Sequence, residues 1–314
     1  MSNRAFIFPG QGSQYIGMGR ELYSNFKICR DTLAETDDVL GFGLTKLCFE
    51  GPPEELNRTV NTQPAILAVS IAALRVLQQE CGIRPAVVAG HSLGEYSALV
   101  AAGALRFSDA VQAVRKRGQF MQEAAPEGSG SMAAILGLDR QKVIACCQEA
   151  AARGVVEAVN FNCPGQVVIA GQLEALQQAM ELCRQAGAKR AIELSVSGPF
   201  HSSLMRPAGE RLAEVLAQIE IKDPATPVVA NISAAPLQKA PEIRDALVQQ
   251  VSGAVLWEDS IQRMAEEGIT TMIELGPGKV LCGLVKKINK EIITFNAEDL
   301  ASLEKVLAQF KEVG

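Results

Sequence analysis

Short, wholly apolar runs alternate along this chain with longer segments whose apolar residues recur at helical spacing. Ala5 to Phe8 and Ala86 to Ala89 are runs of four residues without a polar position, closed by Pro9 and Gly90. Such runs predict strands buried on both faces, as in a parallel sheet, because a sheet with one wet face alternates apolar and polar residues. Pro227 to Asn231 and Thr271 to Leu275 read as further strands. Helical segments fall between them. The first is alanine-rich Pro64 to Gln79, with Thr62 as its expected N-cap. An apolar segment running through Ala102 follows, then Asp109 to Glu123, Arg206 to Ile219, Ile243 to Val251, Asp259 to Glu267 and Ser302 to Lys311. Strands and helices in this order predict an α/β fold, a parallel sheet covered by helices.

The rhythm changes after Pro126-Glu127-Gly128-Ser129-Gly130, a hinge-like stretch. Strand at Met132 to Leu136, helix at Asp139 to Ala152, strands at Val155 to Asn160 and Val167 to Ala170, helix from Leu173 to Cys183 and strand at Lys189 to Leu194 follow. The turn Asn162-Cys163-Pro164-Gly165 separates the two central strands. This β-α-β-β-α-β order is that of a ferredoxin-like α+β module. Residues 127–196 are therefore expected to be a small inserted subdomain, and 1–126 with 197–314 the large body.

Composition narrows the function. A chain of 314 residues with 48% hydrophobic and 21% charged positions can bury a sizeable core. The net charge of -5 gives no general affinity for nucleic acid, and cations for an acidic ligand must be gathered locally. None of the eight cysteines forms a C-x-x-C pair and neither of the two histidines flanks one. No metal site or disulfide framework is expected, only reduced and mostly buried thiols of a cytoplasmic protein. The residues before Ala5 are too few for a signal peptide, and no uninterrupted apolar stretch reaches the length of a membrane span.

The chemistry concentrates at Gly90-His91-Ser92-Leu93-Gly94, a G-x-S-x-G placed after a strand and before an apolar helix. A serine on such a sharp turn projects its hydroxyl from the sheet, and the helix behind it aims free N–H groups at a developing oxyanion. Its proton needs an acceptor. His91 adjoins Ser92 on a tight turn and points elsewhere, which leaves His201, in the loop Ser197-Gly198-Pro199-Phe200-His201-Ser202, as the base. The oxyanion needs two donors: the backbone N–H of Leu93, and that of Gln11 in Gly10-Gln11-Gly12. That loop lacks the third glycine of a dinucleotide fingerprint, and Gly276-Pro277-Gly278-Lys279 misses the phosphate-loop pattern, so it reads as a turn.

Around these residues the sequence resembles the malonyl-CoA:acyl carrier protein transacylases of fatty acid synthesis and the acyltransferase domains of polyketide synthases. The matching stretches are FPGQGSQ (8–14), NTQPAILA (61–68), GHSLGEYSAL (90–99), RKRGQFMQ (115–122), NCPGQVVIAG (162–171), SGPFHSSLM (197–205) and ELGPGKVL (274–281). The resemblance implies a hydrolase-like α/β body with a ferredoxin-like insert, and a ping-pong transfer through an ester on Ser92. His201 would be the base, Gln11 and Leu93 the oxyanion donors, and Gln250 the residue whose backbone carbonyl holds His201. Arg117 would clamp the free carboxylate of a malonyl group, a task suited to the planar two-pronged guanidinium; Arg115 and Lys116 beside it read as a solvated face. Malonyl-CoA and acyl carrier protein are the implied partners, coenzyme A is a co-substrate, and no metal or redox cofactor is implied. An aromatic residue before the histidine, here Phe200, goes with malonyl selection in the polyketide enzymes. The chain departs from the family at Gly253-Ala254-Val255-Leu256-Trp257, where a Pro-Val-Arg-Trp pattern is common. Two other readings stand beside this one: an esterase whose triad acid would be Asp109, Asp139 or Glu193, and a carrier-docking protein without catalysis.

Overall fold

Strand β1 (Arg4–Phe8) is followed by helices α1 (Arg20–Asn25), α2 (Lys27–Leu40), α3 (Leu44–Glu50), α4 (Pro53–Asn57) and the long α5 (Thr59–Cys81) in this computed structural model, which describes residues 3–310 apart from Glu127, Ser195 and Ser197. Strand β2 (Val87–Gly90), α6 (Gly94–Ala101) and α7 (Phe107–Ala124) come next. Then follow β3 (Ser131–Leu136), α8 (Arg140–Ala150), β4 (Val156–Cys163), β5 (Gln166–Gly171), α9 (Leu173–Gln185) and β6 (Arg190–Glu193). The last part runs α10 (Arg206–Ala217), β7 (Val228–Val229), β8 (Pro236–Leu237), α11 (Ala240–Ser252), α12 (Trp257–Glu266), β9 (Thr271–Leu275), α13 (Val280–Ile288), β10 (Ile293–Ala297) and α14 (Leu300–Phe310).

The body is an α/β layer with a sheet in the order β10-β9-β1-β2-β7-β8, parallel except at the β7–β8 edge. Ala5 to Phe8 are fully buried, as expected of a run flanked by helices on both faces. The register places Phe8 opposite Gly90, so β1 and β2 release their chains side by side. The loops after β1, β2, β7 and β9 therefore gather at one edge, where open parallel sheets bind ligands.

The second sheet, β4-β5-β3-β6, is antiparallel. Side-chain alternation serves two cores at once. Ala133, Ile135 and Ile169 pack with Val143, Leu176 and Cys183 under α8 and α9, whereas Met132, Val168 and Ala170 join the main core. The unusual 253–257 segment links β4 to the loop after β7: Val255 N–H donates to Val159 O at 2.8 Å, Phe161 N–H to Val255 O at 2.9 Å, and Leu256 N–H to Asn231 O at 2.9 Å.

One helix start differs from expectation. Helix α5 begins at Thr59, and Thr62 is not its N-cap but a residue inside it, its hydroxyl donating to Leu56 O at 2.6 Å. Pro64 lies within the helix. It has no N–H for Val60 O, and Arg115 Nη1 supplies that bond at 2.8 Å instead. This 23-residue helix has the length and hydropathy of a membrane span, but 89% of its apolar window is buried in the core. All eight thiols are free, and seven are buried.

Candidate active site

The turn after β2 can form only because its glycines lack side chains. A Cβ on Gly90 would lie 1.9 Å from the Gly94 carbonyl carbon, and one on Gly94 would lie 2.1 Å from Phe8 O. Between them Ser92 takes φ 50°, a left-handed conformation costly for a non-glycine residue and common where a fold holds a reactive group in place. Asn231, in the loop after β7, offsets that cost. Its Oδ1 accepts from Ser92 N–H at 2.6 Å and its Nδ2 donates to Gly90 O at 2.7 Å.

Ser92 Oγ lies 2.7 Å from His201 Nε2, and His201 Nδ1 lies 2.8 Å from the carbonyl oxygen of Gln250. With Nδ1–H donating to that carbonyl, Nε2 is the free acceptor for the serine proton. His201 is 4% exposed, and its own φ of 63° shows that the 198–202 loop is held to a fixed shape. Burial first, then the Arg117 charge, pushes its pKa down to about 3, so the ring is neutral near pH 7. Among the described residues no Asp or Glu hydrogen-bonds to it. Asp109 pairs with Arg106, Asp139 caps α8, and Glu193 sits exposed on β6. His91 is spoken for elsewhere, with Nε2 2.8 Å from Asn162 Oδ1 and its ring against Trp257.

Arg117 is 1% exposed. Its Nη1 donates to Gln63 Oε1 at 2.8 Å, and its Nη2 donates to Gln250 Oε1 at 2.9 Å and to Ser92 Oγ at 3.2 Å. Its Nε has no partner, and none of the ion pairs among the described residues involves it. A buried guanidinium without an ion-pair partner is expensive for a fold to keep. Its neighbours behave differently: Arg115 bonds Val60 O and the Asn61 side chain and stacks on Phe42, while Lys116 faces solvent.

Gln11, Gln63, Ser92, Leu93, Arg117, Phe200 and His201 line one cavity of ≈ 100 Å³. The N–H groups of Gln11 and Leu93 take no protein acceptor among the described residues. A groove of ≈ 360 Å³ adjoins it, sharing Gln11, His91, Asn160 and Leu194, and runs out past Gln166, Leu284 and Val280. The arrangement provides an activated hydroxyl, a neutral base, two free N–H donors and a cation in one enclosure. Sequence reading assigned no role to Gln63, Glu95 or Asn231, although the first two lie inside the stretches NTQPAILA and GHSLGEYSAL. No group of three or more His, Cys, Asp or Glu that could hold a metal occurs among the described residues.

Residues 5–309 match the family model described as acyl transferase domain. The chain is 50% identical over 313 residues to the malonyl CoA-acyl carrier protein transacylase of Bacillus subtilis, covering 99% of this chain and 98% of that one. It is 52% identical over 288 residues to the protein of the same name from Escherichia coli K12, covering 92% and 93%. Among solved structures it is similar to an acyl carrier protein S-malonyltransferase from Vibrio cholerae, with a TM-score of 0.95, 48% identity and coverage of 97% and 100%. It is also similar to the malonyl-transacylase in a holo complex of a type II PKS acyl-carrier protein with its malonyl-transacylase, with a TM-score of 0.96, 48% identity and coverage of 98% and 100%.

Proposed function

Since the chain belongs to the acyl transferase domain family, we propose that it moves a malonyl group from malonyl-CoA to the phosphopantetheine thiol of an acyl carrier protein through an ester on Ser92. The observation that carries this reading is the buried Arg117, without an ion-pair partner among the described residues and in hydrogen-bond contact with the serine hydroxyl. His201 Nε2 takes the Ser92 proton as Oγ attacks the thioester carbonyl. The Gln11 and Leu93 N–H groups hold the oxyanion, and His201 returns the proton to the departing coenzyme A sulfur. The carrier thiol then gives its proton to His201 while its sulfur attacks the ester, and Ser92 recovers the proton. The groove past Gln166 and Val280 accommodates the pantetheine arm. The reading needs no metal or redox cofactor, treats 127–196 as a ferredoxin-like insert on a hydrolase-like body, and goes with a cytoplasmic location and fatty acid synthesis.

Mixing the protein with malonyl-CoA should add one malonyl unit to its mass, and holo carrier protein should then remove it much faster than water does. Discharge by water as fast as by the carrier would favour the esterase reading.

Two further results are expected. Removing the Arg117 charge should let the His201 pKa rise. Because only neutral His201 accepts the serine proton, the acid limb of kcat/KM for acetyl-CoA should move to higher pH in Arg117→Ala; an unmoved limb counts against the coupling. An acidic carrier also needs local positive charge to steer it. Lys189, Arg190, Lys286 and Lys287 are exposed, and Lys287 reaches Gln166 of the groove at 3.5 Å. Charge reversal at these four should raise KM for the carrier and leave loading from malonyl-CoA nearly unchanged. Equal damage to both half-reactions would rule the surface out.

A further inference from the structure

Two buried charges stand on either side of the Gln250 side chain. Its Oε1 accepts from Arg117 Nη2 at 2.9 Å, and its Nε2 donates to Glu95 Oε2 at 2.9 Å. Glu95 lies on the first turn of α6, three residues past the nucleophile, and is fully buried. The same Oε2 accepts from Asn231 N–H at 3.0 Å, while Oε1 has no partner. The amide is thus oriented with its oxygen toward the cation and its nitrogen toward the carboxylate. Neither charge belongs to an ion pair among the described residues. The steps proposed above give Glu95 nothing to do.

We propose that Glu95 is a selectivity-determining positioning residue: a buried carboxylate, linked to Arg117 through the Gln250 amide, whose gain or loss of a proton sets how tightly Arg117 holds the substrate's carboxylate. The inference rests on the reading of Arg117 as the malonyl clamp. In the empty site one cation faces one carboxylate. Once a malonyl group docks, two carboxylates share that cation. The least costly relief is a proton on Glu95, since a buried carboxyl prefers its neutral form. Burial already outweighs the Asn231 and Gln250 hydrogen bonds and the Arg117 charge, raising its pKa to about 7. The titratable groups facing it are Arg117 from α7 and Tyr96 from its own helix; Asn231 and Gln250, from the loop after β7 and from α11, carry no charge. Coupling is reciprocal: the malonyl carboxylate raises the proton affinity of Glu95 by the factor by which that proton strengthens malonyl binding.

The test is the ratio of kcat/KM for malonyl-CoA to that for acetyl-CoA, followed from pH 6 to 8. Titration of His201 affects both thioesters and cancels in the ratio. For the unchanged protein the ratio should fall by roughly threefold or more across this window as pH rises and Glu95 ionises, which is what a coupling of about fivefold, a common size between sites, produces when ionisation is incomplete at both ends. Glu95→Gln keeps an oxygen to accept from Asn231 and Gln250 but cannot ionise, so its ratio should stay near the acid-side value throughout. A pH-dependent ratio that survives Glu95→Gln, or a flat ratio in the unchanged protein, would overturn the proposal. A second measurement avoids altering Glu95. Calorimetry of Ser92→Ala with each thioester near pH 7, in two buffers of different ionisation heat, should show proton uptake with malonyl-CoA and not with acetyl-CoA; equal uptake overturns it. If instead the ratio is unmoved by Arg117→Ala, the clamp reading itself fails, so the two failures are distinguishable.

Discussion

A Ser92→Ala protein mixed with malonyl-CoA is expected to keep its mass, where the unchanged protein gains one malonyl unit. The substitution removes Oγ, the atom 2.7 Å from His201 Nε2, and leaves the turn otherwise intact. The hold on that turn is through the backbone N–H, which Asn231 Oδ1 accepts at 2.6 Å whichever side chain is present. Alanine also tolerates φ 50° no worse than serine does. The melting temperature should therefore change little while transfer falls by roughly 10⁴- to 10⁶-fold, the range seen when the nucleophile of a serine–histidine pair is lost. That corresponds to about 5–8 kcal/mol of transition-state stabilisation. His201→Ala should keep the hydroxyl but strand its proton, so labelling should slow rather than vanish. Labelling that persists in Ser92→Ala would place the acyl group on another nucleophile and overturn the assignment of the ester to Ser92.

The turn that carries Ser92 was legible because its chemistry is local. Gly90, Ser92 and Gly94 lie within five residues, and the buried strand before them and apolar helix after them give the motif its context. The parallel body was legible for a similar reason, since runs such as Ala5 to Phe8 have no polar position to face water. Elements built on less regular patterns were not read. The buried stripe of α2 is Cys29, Thr32, Leu33 and Thr36, two of them threonines whose hydroxyls turn back onto Ile28 O and Thr32 O. Such a stripe looks polar until the backbone carbonyl is seen to satisfy it. Helix α13 opens with the run Val280 to Val285, too short and too uniformly apolar for period alone to separate helix from strand.

The supporting network was illegible for a different reason. Asn231 meets Ser92 across 139 residues, and Gln250 meets Glu95 across 155. Nothing in the local sequence marks Asn231, the resemblance brings in Gln250 only for its backbone carbonyl, and only the convergence of the loops after β2 and β7 with α11 brings the side chains together. Glu95 lies in the segment read simply as an apolar helix running through Ala102. Its burial is what makes it informative, because a carboxyl enclosed by protein must be bonded, paired or neutral.

Arg117→Ala is expected to lower malonyl transfer by about 30- to 5,000-fold while costing acetyl transfer far less. A malonyl carboxylate entering the enclosure beside Ser92 sheds its water and needs a charge-assisted replacement. Arg117 is the buried cation lining that cavity, and its Nη1 and Nη2 now lean on neutral oxygens of Gln63, Gln250 and Ser92. A carboxylate is a stronger acceptor than any of these, so docking exchanges weaker bonds for stronger ones and satisfies the guanidinium charge. Removing one partner of such a pair typically costs about 2–5 kcal/mol, and at about 1.4 kcal/mol per decade this gives the stated range. Acetyl-CoA brings no carboxylate, so the unchanged protein must bind it with Arg117 still lacking an ion-pair partner, and truncation takes away little that acetyl-CoA used. Arg117→Lys should recover only part of the malonyl activity. An ammonium keeps the charge but cannot reach Gln63 and Gln250 at once while presenting two parallel N–H bonds to the substrate. The measurement is kcat/KM for both thioesters across the three proteins. A malonyl-to-acetyl ratio that stays constant on truncation would mean that the carboxylate is held elsewhere, and the dicarboxylic substrate would lose its main physical support.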